Sequence, residues 1–410
     1  MNMNVIEDWI FYIQNNPVVV VFLVLALWLF GLWNRQSSHT IPKDEVTKEE
    51  QDTYPPIIPL PSFNWETTEP TKYRPFKPKY HLSMALTTTD ISHLIPMDKT
   101  YKERLTLRQS LLTQYPTIVV GVTPAGQKPE SPVHAAITEL YEFIVGVYLP
   151  TRYPSMFILE KTTHPQSQND NTDNKGESTN KTLLNKITNT RIPLPHRGSG
   201  RDILSTLGTF VDEDFLVLLP ESSSPSPSPT EEKEKEEEQE KKYTLEAYTT
   251  FYPAGFDTRE KLGKRLSTIH DPVPRYKERL EKSMDRFFSR LEVGKVVQRV
   301  NWSINTPGTG LFAAFGGLHG HEGENRERVL GVEETLLRCE RQTLHRLPKT
   351  KALVFTFHTY TYPIREIKEE GLGEELALAI DGLKEGNVPE IHRYKRGPVW
   401  GEAVKAYLRA

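Results

Sequence analysis

The chain carries a single cysteine, Cys339, in 410 residues. One thiol excludes an intrachain disulfide, a multi-cysteine zinc centre and an iron–sulfur cluster. It suits a folded body in a reducing compartment. There is also no surplus of charge: 51 basic and 54 acidic residues leave −3. That balance argues against a general nucleic-acid partner. No G-x-G-x-x-G opens a helix, and neither a P-loop nor a G-x-S-x-G elbow occurs, which disfavours the standard dinucleotide, ATP and serine-hydrolase folds. Apolar residues are scarce as well. Counting Gly and leaving out Tyr they reach roughly 39%, against about 45–50% for ordinary globular chains. Yet 17 Phe, 17 Tyr and 6 Trp are too many for a disordered chain. The composition points to a large globular core diluted by polar insertions.

One apolar run is conspicuous. Val18 to Trp33 holds 16 uncharged residues, about 24 Å of helix. It is expected to be a transmembrane helix within a membrane anchor at 1–35. Glu7 and Asp8 precede it, Arg35 and Lys43 follow it, and the positive-inside rule puts the body in the cytosol. The expected location is a single-pass protein of the endoplasmic reticulum. Residues 36–80 read as a Pro-rich stalk. The remainder, 81–410, reads as one domain interrupted by polar insertions near 162–190, 221–242 and 316–327.

Between the insertions the pattern is strong. Ser131-Pro132 caps a helix whose apolar positions run from Val133 through Leu140 to Val147. A second helix follows Asp271, with Tyr276, Leu280, Met284, Phe287, Phe288 and Leu291 on one stripe. Five strands are predicted: Met156–Glu160, Phe215–Leu219, Tyr243–Tyr252, Lys295–Ile304 and Ala352–Tyr362. In the fourth, Gln298, Val300 and Trp302 share one face, while Arg299 and Asn301 share the other. In the fifth, Phe355 and Phe357 alternate against Thr356, His358 and Tyr360. The fold class is α+β, a central antiparallel sheet flanked by helices.

Two stretches carry chemistry. In LGKRLSTIHDPVPRY (262–276), His270 sits at a proline-bounded corner. A stiff backbone there can aim an imidazole at a metal, or the ring can simply bond a nearby carbonyl. In LLRCERQTLHRLP (336–348), a helical wheel puts Arg338, Arg341, Gln342 and His345 opposite the leucines. Such a face is an internal ion-pair network with Glu340, a solvated surface, or a site for an anionic group such as a carboxylate. Cys339, among leucines and arginines, reads as a buried inert thiol. His319-Gly-His321 lacks further spaced ligands.

These stretches resemble a known family, the haem-dependent oxidative N-demethylase alpha-subunit-like proteins, whose fungal members are called the HRQ family. The resemblance rests on ELYEFIVGVYLPTRYPSMF (139–157), FYPAGFDTREKLGKRLSTIHDPVPRY (251–276), VQRVNWSI (297–304) and ERQTLHRLPKTKALVFTFHTYTYPI (340–364). It implies a PAS-like haem-binding body and oxidative removal of a methyl group from a small amine, with oxygen as oxidant. Haem b iron would be the cofactor, with His270 as axial ligand. Arg338, Arg341, His345, Arg299 and Asn301 would contact it, Arg338 and Arg341 holding its propionates. His358 and Tyr360 would be candidates for the distal side. No intrinsic flavin or iron–sulfur cluster is expected, so electrons would come from a separate reductase. The competing readings are a membrane-tethered PAS-like sensor that binds haem or a small ligand without turnover, and an interaction protein that has lost haem.

Overall fold

The computed structural model describes residues 53–161, 180–221, 241–315 and 331–410. Ten strands occur among them. They are β1 (Thr87–Thr89), β2 (Val120–Val122), β3 (Phe157–Lys161), β4 (Lys181–Asn185), β5 (Thr190–Leu194), β6 (Asp214–Pro220), β7 (Tyr243–Thr249), β8 (Val296–Asn305), β9 (Leu336–Arg346) and β10 (Leu353–Pro363). Seven form one antiparallel sheet in the order β1-β8-β9-β10-β6-β7-β2, and β3-β4-β5 form a second. Helices flank the main sheet: α1 (Tyr101–Gln114), α2 (Pro132–Phe143), α3 (Gly200–Phe210), the short α4 (Leu266–His270), α5 (Lys282–Arg290), α6 (Gly373–Glu385) and α7 (Gly397–Arg409). One apolar cluster joins α1–α3 to the sheet through Leu105, Ile137, Leu207, Phe215 and Val354. The other joins α5–α7 to it through Met284, Phe288, Ile380, Trp400 and Leu344.

The α+β class with a central antiparallel sheet flanked by helices is thus observed, and the transmembrane helix expected with it is corrected. The main sheet has seven strands, and its inner five run β7-β6-β10-β9-β8, second-first-fifth-fourth-third in chain order. No helix among the described residues is long and apolar enough to cross a membrane, and Val18–Trp33 lies outside them. The expected single-pass topology, and the endoplasmic-reticulum location inferred from it, are corrected on that finding. The part of the expected Pro-rich stalk that is described, 53–80, is built into the body. Ile57, Leu60, Phe63 and Trp65 pack on the first cluster, Tyr73 and Phe76 on the second. Arg74 pairs with Glu370 at 2.7 Å. The polar insertion at 162–190 ends in structure, since Lys181–Asn185 is β4, and 162–179 lie outside the described residues. The ends of 221–242 are tied down as well: Glu221 pairs with Arg265 at 2.5 Å and Lys242 pairs with Asp285.

The largest correction concerns 336–347, expected as a helix. It is the strand β9, paired along its length with β8 on one side and β10 on the other. Both faces of β9 are covered, so charged side chains alternate into two interiors instead of lining one stripe. Arg338, Glu340 and Gln342 share the face toward α4 and α5. Cys339, Arg341, Thr343 and His345 share the opposite face. The alternation read in β8 matches: Arg299 lies across from Gln342, and Gln298 across from Thr343.

Two glycines of the α6 region seat the 78–82 segment. A Cβ at Gly382 would lie 2.3 Å from the Pro78 carbonyl oxygen, and one at Gly386 would lie 1.5 Å from that of Tyr80. Backbone cannot yield as a side chain can, so Gly382→Ala is expected to cost about 1–3 kcal/mol, typical of overpacking. A thermal melt should show a fall of several degrees, and an unchanged melting temperature would show that the segment is not seated there.

His345 makes a second case. It is fully buried; its Nδ1 shares a 2.7 Å hydrogen bond with the Tyr54 hydroxyl, and burial pulls its pKa down to about 3. A neutral buried histidine stabilises the fold above its unfolded pKa, about 6.5. That contribution is lost as pH falls toward 3, because the unfolded chain takes up the proton first. The melting temperature should therefore decline between pH 7 and 5, and His345→Gln should decline less steeply. Equal slopes in the two proteins would show that His345 titrates normally.

Candidate functional site

The candidate site is built on the α4 corner. Gly263, at φ +73°, turns the chain so that its amide donates to the Leu245 carbonyl at 2.8 Å. Arg265 bridges to Thr244 on β7 and pairs with Glu221. The short helix then ends at His270, where Pro272 prevents its simple continuation. His270 hydrogen-bonds through Nδ1 to the Leu266 carbonyl at 2.7 Å, and its ring stacks on Tyr276 at 4.8 Å between centroids. The two readings of His270 are therefore compatible. Donation to the carbonyl makes Nδ1 the protonated nitrogen and leaves the Nε2 lone pair available. Burial pulls the ring's pKa down to about 4, so it is neutral at pH 7.

His270 lines a slot between α4, α5 and the sheet. The slot encloses about 1090 Å³ of unfilled space, counting the part open to solvent. Its walls are mainly apolar, among them Met84, Leu216, Met284, Phe288, Phe355 and Phe357. It adjoins a larger groove that shares His270, Arg299, Lys261 and Glu340 and adds Asn301, Tyr394 and Lys395.

The polar groups at this junction are unevenly charged. Arg299 donates to Gln342 Oε1 at 2.6 Å. Gln342 in turn donates to Glu340 Oε2 at 3.1 Å. Lys395 reaches from beyond α6 to Asn301 Oδ1 at 3.1 Å and to the Trp302 carbonyl at 2.5 Å. Lys261 lies 3.4 Å over the Phe256 ring. Burial pulls both lysines down to about 8. Glu340 is the acid lining this junction, and it is already bonded to Arg338 at 3.1 Å. Lys261, Arg299 and Lys395 thus form a cationic cluster at the mouth of an apolar slot.

The structure divides the residues singled out from sequence. His270, Arg299 and Asn301 meet at the slot and groove. Arg338 shares their sheet face, but it is fully buried and spends its donors on Glu340, Thr359 and the carbonyls of Leu311 and Tyr252. Arg341 lies on the other face, donating to the carbonyls of Leu94 at 3.2 Å and His93 at 2.5 Å. His345 is on that face too. His358 and Tyr360 stand together, 4.7 Å between ring centroids, but behind the sheet from His270. His358 Nδ1 lies 3.1 Å from Glu213 Oε2, in a buried network that also holds Arg104, Arg108, Asp212 and Asp214. A distal role beside His270 is therefore closed to both. Cys339 is buried, with its pKa pushed up to about 12, which suits an inert thiol.

Sequence reasoning missed Lys261 and Lys395. Lys261 lies in the 251–276 stretch, nine residues before His270, and could have been noted there. Lys395 gave no local signal, because only the packing of the chain end brings it to β8. The expected membrane-anchored oxidase, and its membrane-tethered sensor alternative, are corrected, because no described helix can span a membrane. Among the described residues no group of three or more His, Cys, Asp and Glu is placed to hold a metal ion, so an iron held by protein ligands alone is not supported; a haem iron, held by its ring, needs a single side chain.

Comparison with known proteins bears on what this site belongs to. No curated protein matches the chain. One family model does, described as haem-dependent oxidative N-demethylase, alpha subunit-like, and it matches residues 85–405. That span contains β1, every other strand of both sheets, the α4 corner and all of the slot's lining except Met84. The chain therefore belongs to this haem-dependent, oxidoreductase-like family.

Proposed function

We propose that the slot binds haem b, with His270 as the axial ligand, and that the chain is a haem-dependent oxidoreductase. The observation that carries the reading is the hydrogen bond from His270 Nδ1 to the Leu266 carbonyl. It fixes the tautomer and the ring plane, and leaves Nε2 as a neutral nitrogen donor beside an apolar slot. The surroundings fit the same group. A flat apolar macrocycle suits walls of Met, Leu and Phe, and its two carboxylates suit a mouth where Lys261, Arg299 and Lys395 outnumber the acids.

Bound haem would supply an iron centre for electron transfer and oxygen chemistry. The protein's part is to hold the ring, exclude water from it and compensate its carboxylates. Arg299 is the better carboxylate partner of the cations, because a planar guanidinium can offer two parallel donors. Gln342 holds that guanidinium in place. Electrons would come from a separate reductase, since one buried thiol cannot build an iron–sulfur cluster. A small amine and oxygen are the substrates proposed with it.

Two sets of substitutions test this reading. Titrating the full chain with ferric haem should give a Soret band that saturates at one haem per chain. His270→Ala should abolish the native ferric spectrum, and added imidazole should partly restore it. His358→Ala and Cys339→Ser should keep it, because both side chains lie outside the slot. A native spectrum in His270→Ala would reassign the ligand. Arg299→Gln should release haem about tenfold faster, the effect of losing roughly 1.4 kcal/mol of charge-assisted bonding. An unchanged release rate would place the carboxylates elsewhere.

A further inference from the structure

A second cavity lies behind the sheet, on the Arg341 face of β9. It is bounded by the turn from Thr89 to Met97, by β8 and β9, and by the end of the helical segment that follows α2. It encloses about 740 Å³, counting the part open to solvent. It shares no lining residue with the apolar slot, and among the described residues only Gln298 with the open groove. Its character is the reverse of the slot's. Arg152, Arg341, His93, Tyr73, Tyr153 and Gln298 are among its lining residues, and no Asp or Glu is.

The two arginines are the unusual feature. Each is more than nine-tenths buried, at 7% and 4% exposure. Arg341 is oriented by the carbonyls of His93 and Leu94 and by Gln298 Oε1 at 3.2 Å. All three partners are neutral. Arg152 donates from Nη1 to the Ile58 carbonyl at 2.6 Å, while its Nε is buried with no hydrogen-bond partner among the described residues. Asp90, near enough to sense Arg152, spends its carboxylate on the Ser92 amide at 2.7 Å. Two buried guanidiniums facing one polar cavity, without a carboxylate in its lining, leave an electrostatic debt that an anion would settle.

We propose that this cavity is a binding site for a small oxyanion, a carboxylate or phosphate group, held by Arg152 and Arg341. Arg341 is pre-oriented by the main chain, as an anion clamp requires. Arg152, held by the Ile58 carbonyl and bonded to the Tyr153 hydroxyl, brings the second guanidinium to the cavity with neutral partners only. Tyr73, Gln298 and His93 add neutral polar groups at the wall. The assignment stands independently of the haem reading, because it uses neither His270 nor the cations Lys261, Arg299 and Lys395.

The test is calorimetric titration of the full chain, without added haem, with sodium succinate, acetate and phosphate, each against sodium chloride at equal ionic strength. Saturable one-site binding beyond the chloride control is expected. Tighter binding of the carboxylates or of phosphate identifies which of the two the site is built for. Arg152→Gln should weaken binding at least tenfold. Thr89→Glu, which places a carboxylate on the cavity wall, should raise the melting temperature and abolish the titration signal even if Arg152→Gln folds poorly. Heats no larger than chloride's, or binding untouched by Thr89→Glu, would overturn the proposal.

Discussion

The structure depends on the pairing of β9 between β8 and β10. Eleven consecutive residues are hydrogen-bonded on at least one side, so the strand cannot twist away to put its charges in water. Period-2 geometry then sends Arg338, Glu340 and Gln342 into one interior and Arg341, Thr343 and His345 into the other. Each buried ionic or polar group must find a partner locally or cost several kcal/mol. Most of the polar architecture follows from that demand. Arg338 takes Glu340 and backbone carbonyls, Gln342 takes Arg299, and Thr343 shares a 2.8 Å bond with Thr356, which donates to Glu213 at 2.6 Å.

The same constraint explains which parts of the molecule were legible in the sequence. β8 was readable because its faces differ in composition, with Val300 and Trp302 on one and Arg299 and Asn301 on the other. β10 was readable from Phe355 and Phe357 alternating with Thr356 and His358. β9 was not readable, because both its faces are buried and both are polar. Its leucines fall by chance near helical spacing, so a helical wheel found a stripe that the pairing does not use. Cross-strand context, not intrinsic preference, decides such a segment. β4 was hidden for a simpler reason: a five-residue strand next to a low-complexity stretch carries little hydrophobic pattern, although it is the central strand of its sheet.

The site was legible in its anchor and illegible in its surroundings. His270 stood out because Ile269, Asp271 and two prolines make a local corner, and local corners survive in sequence. The cations around it come from the loop before α4, from β8 and from the chain end, so only the tertiary fold assembles them. His358 and Tyr360 were correctly placed on one face of one strand. What the sequence could not state was which side of the sheet that face meets. A sheet with two covered faces doubles the possible assignments for every strand residue, and periodicity alone never chooses between them.

That two-sidedness also bears on how the molecule can work. The His270 slot is apolar with cations at its mouth. The opposite cavity is polar with buried guanidiniums, and β8 and β9 contribute side chains to both. Arg299 and Gln342 face the first, while Gln298 and Arg341, one residue away in each strand, face the second. A shift of either strand along its axis would move both sets together. The packed sheet resists small continuous shifts, so occupancy of one cavity is felt at the other chiefly through electrostatics across the strand pair. An anion beside Arg341 would lower the positive potential that the sheet presents to the slot, and haem carboxylates beside Arg299 would do the same in reverse. By linkage the two sites would then weaken one another equally, each acting as a mild electrostatic competitor across a wall of backbone.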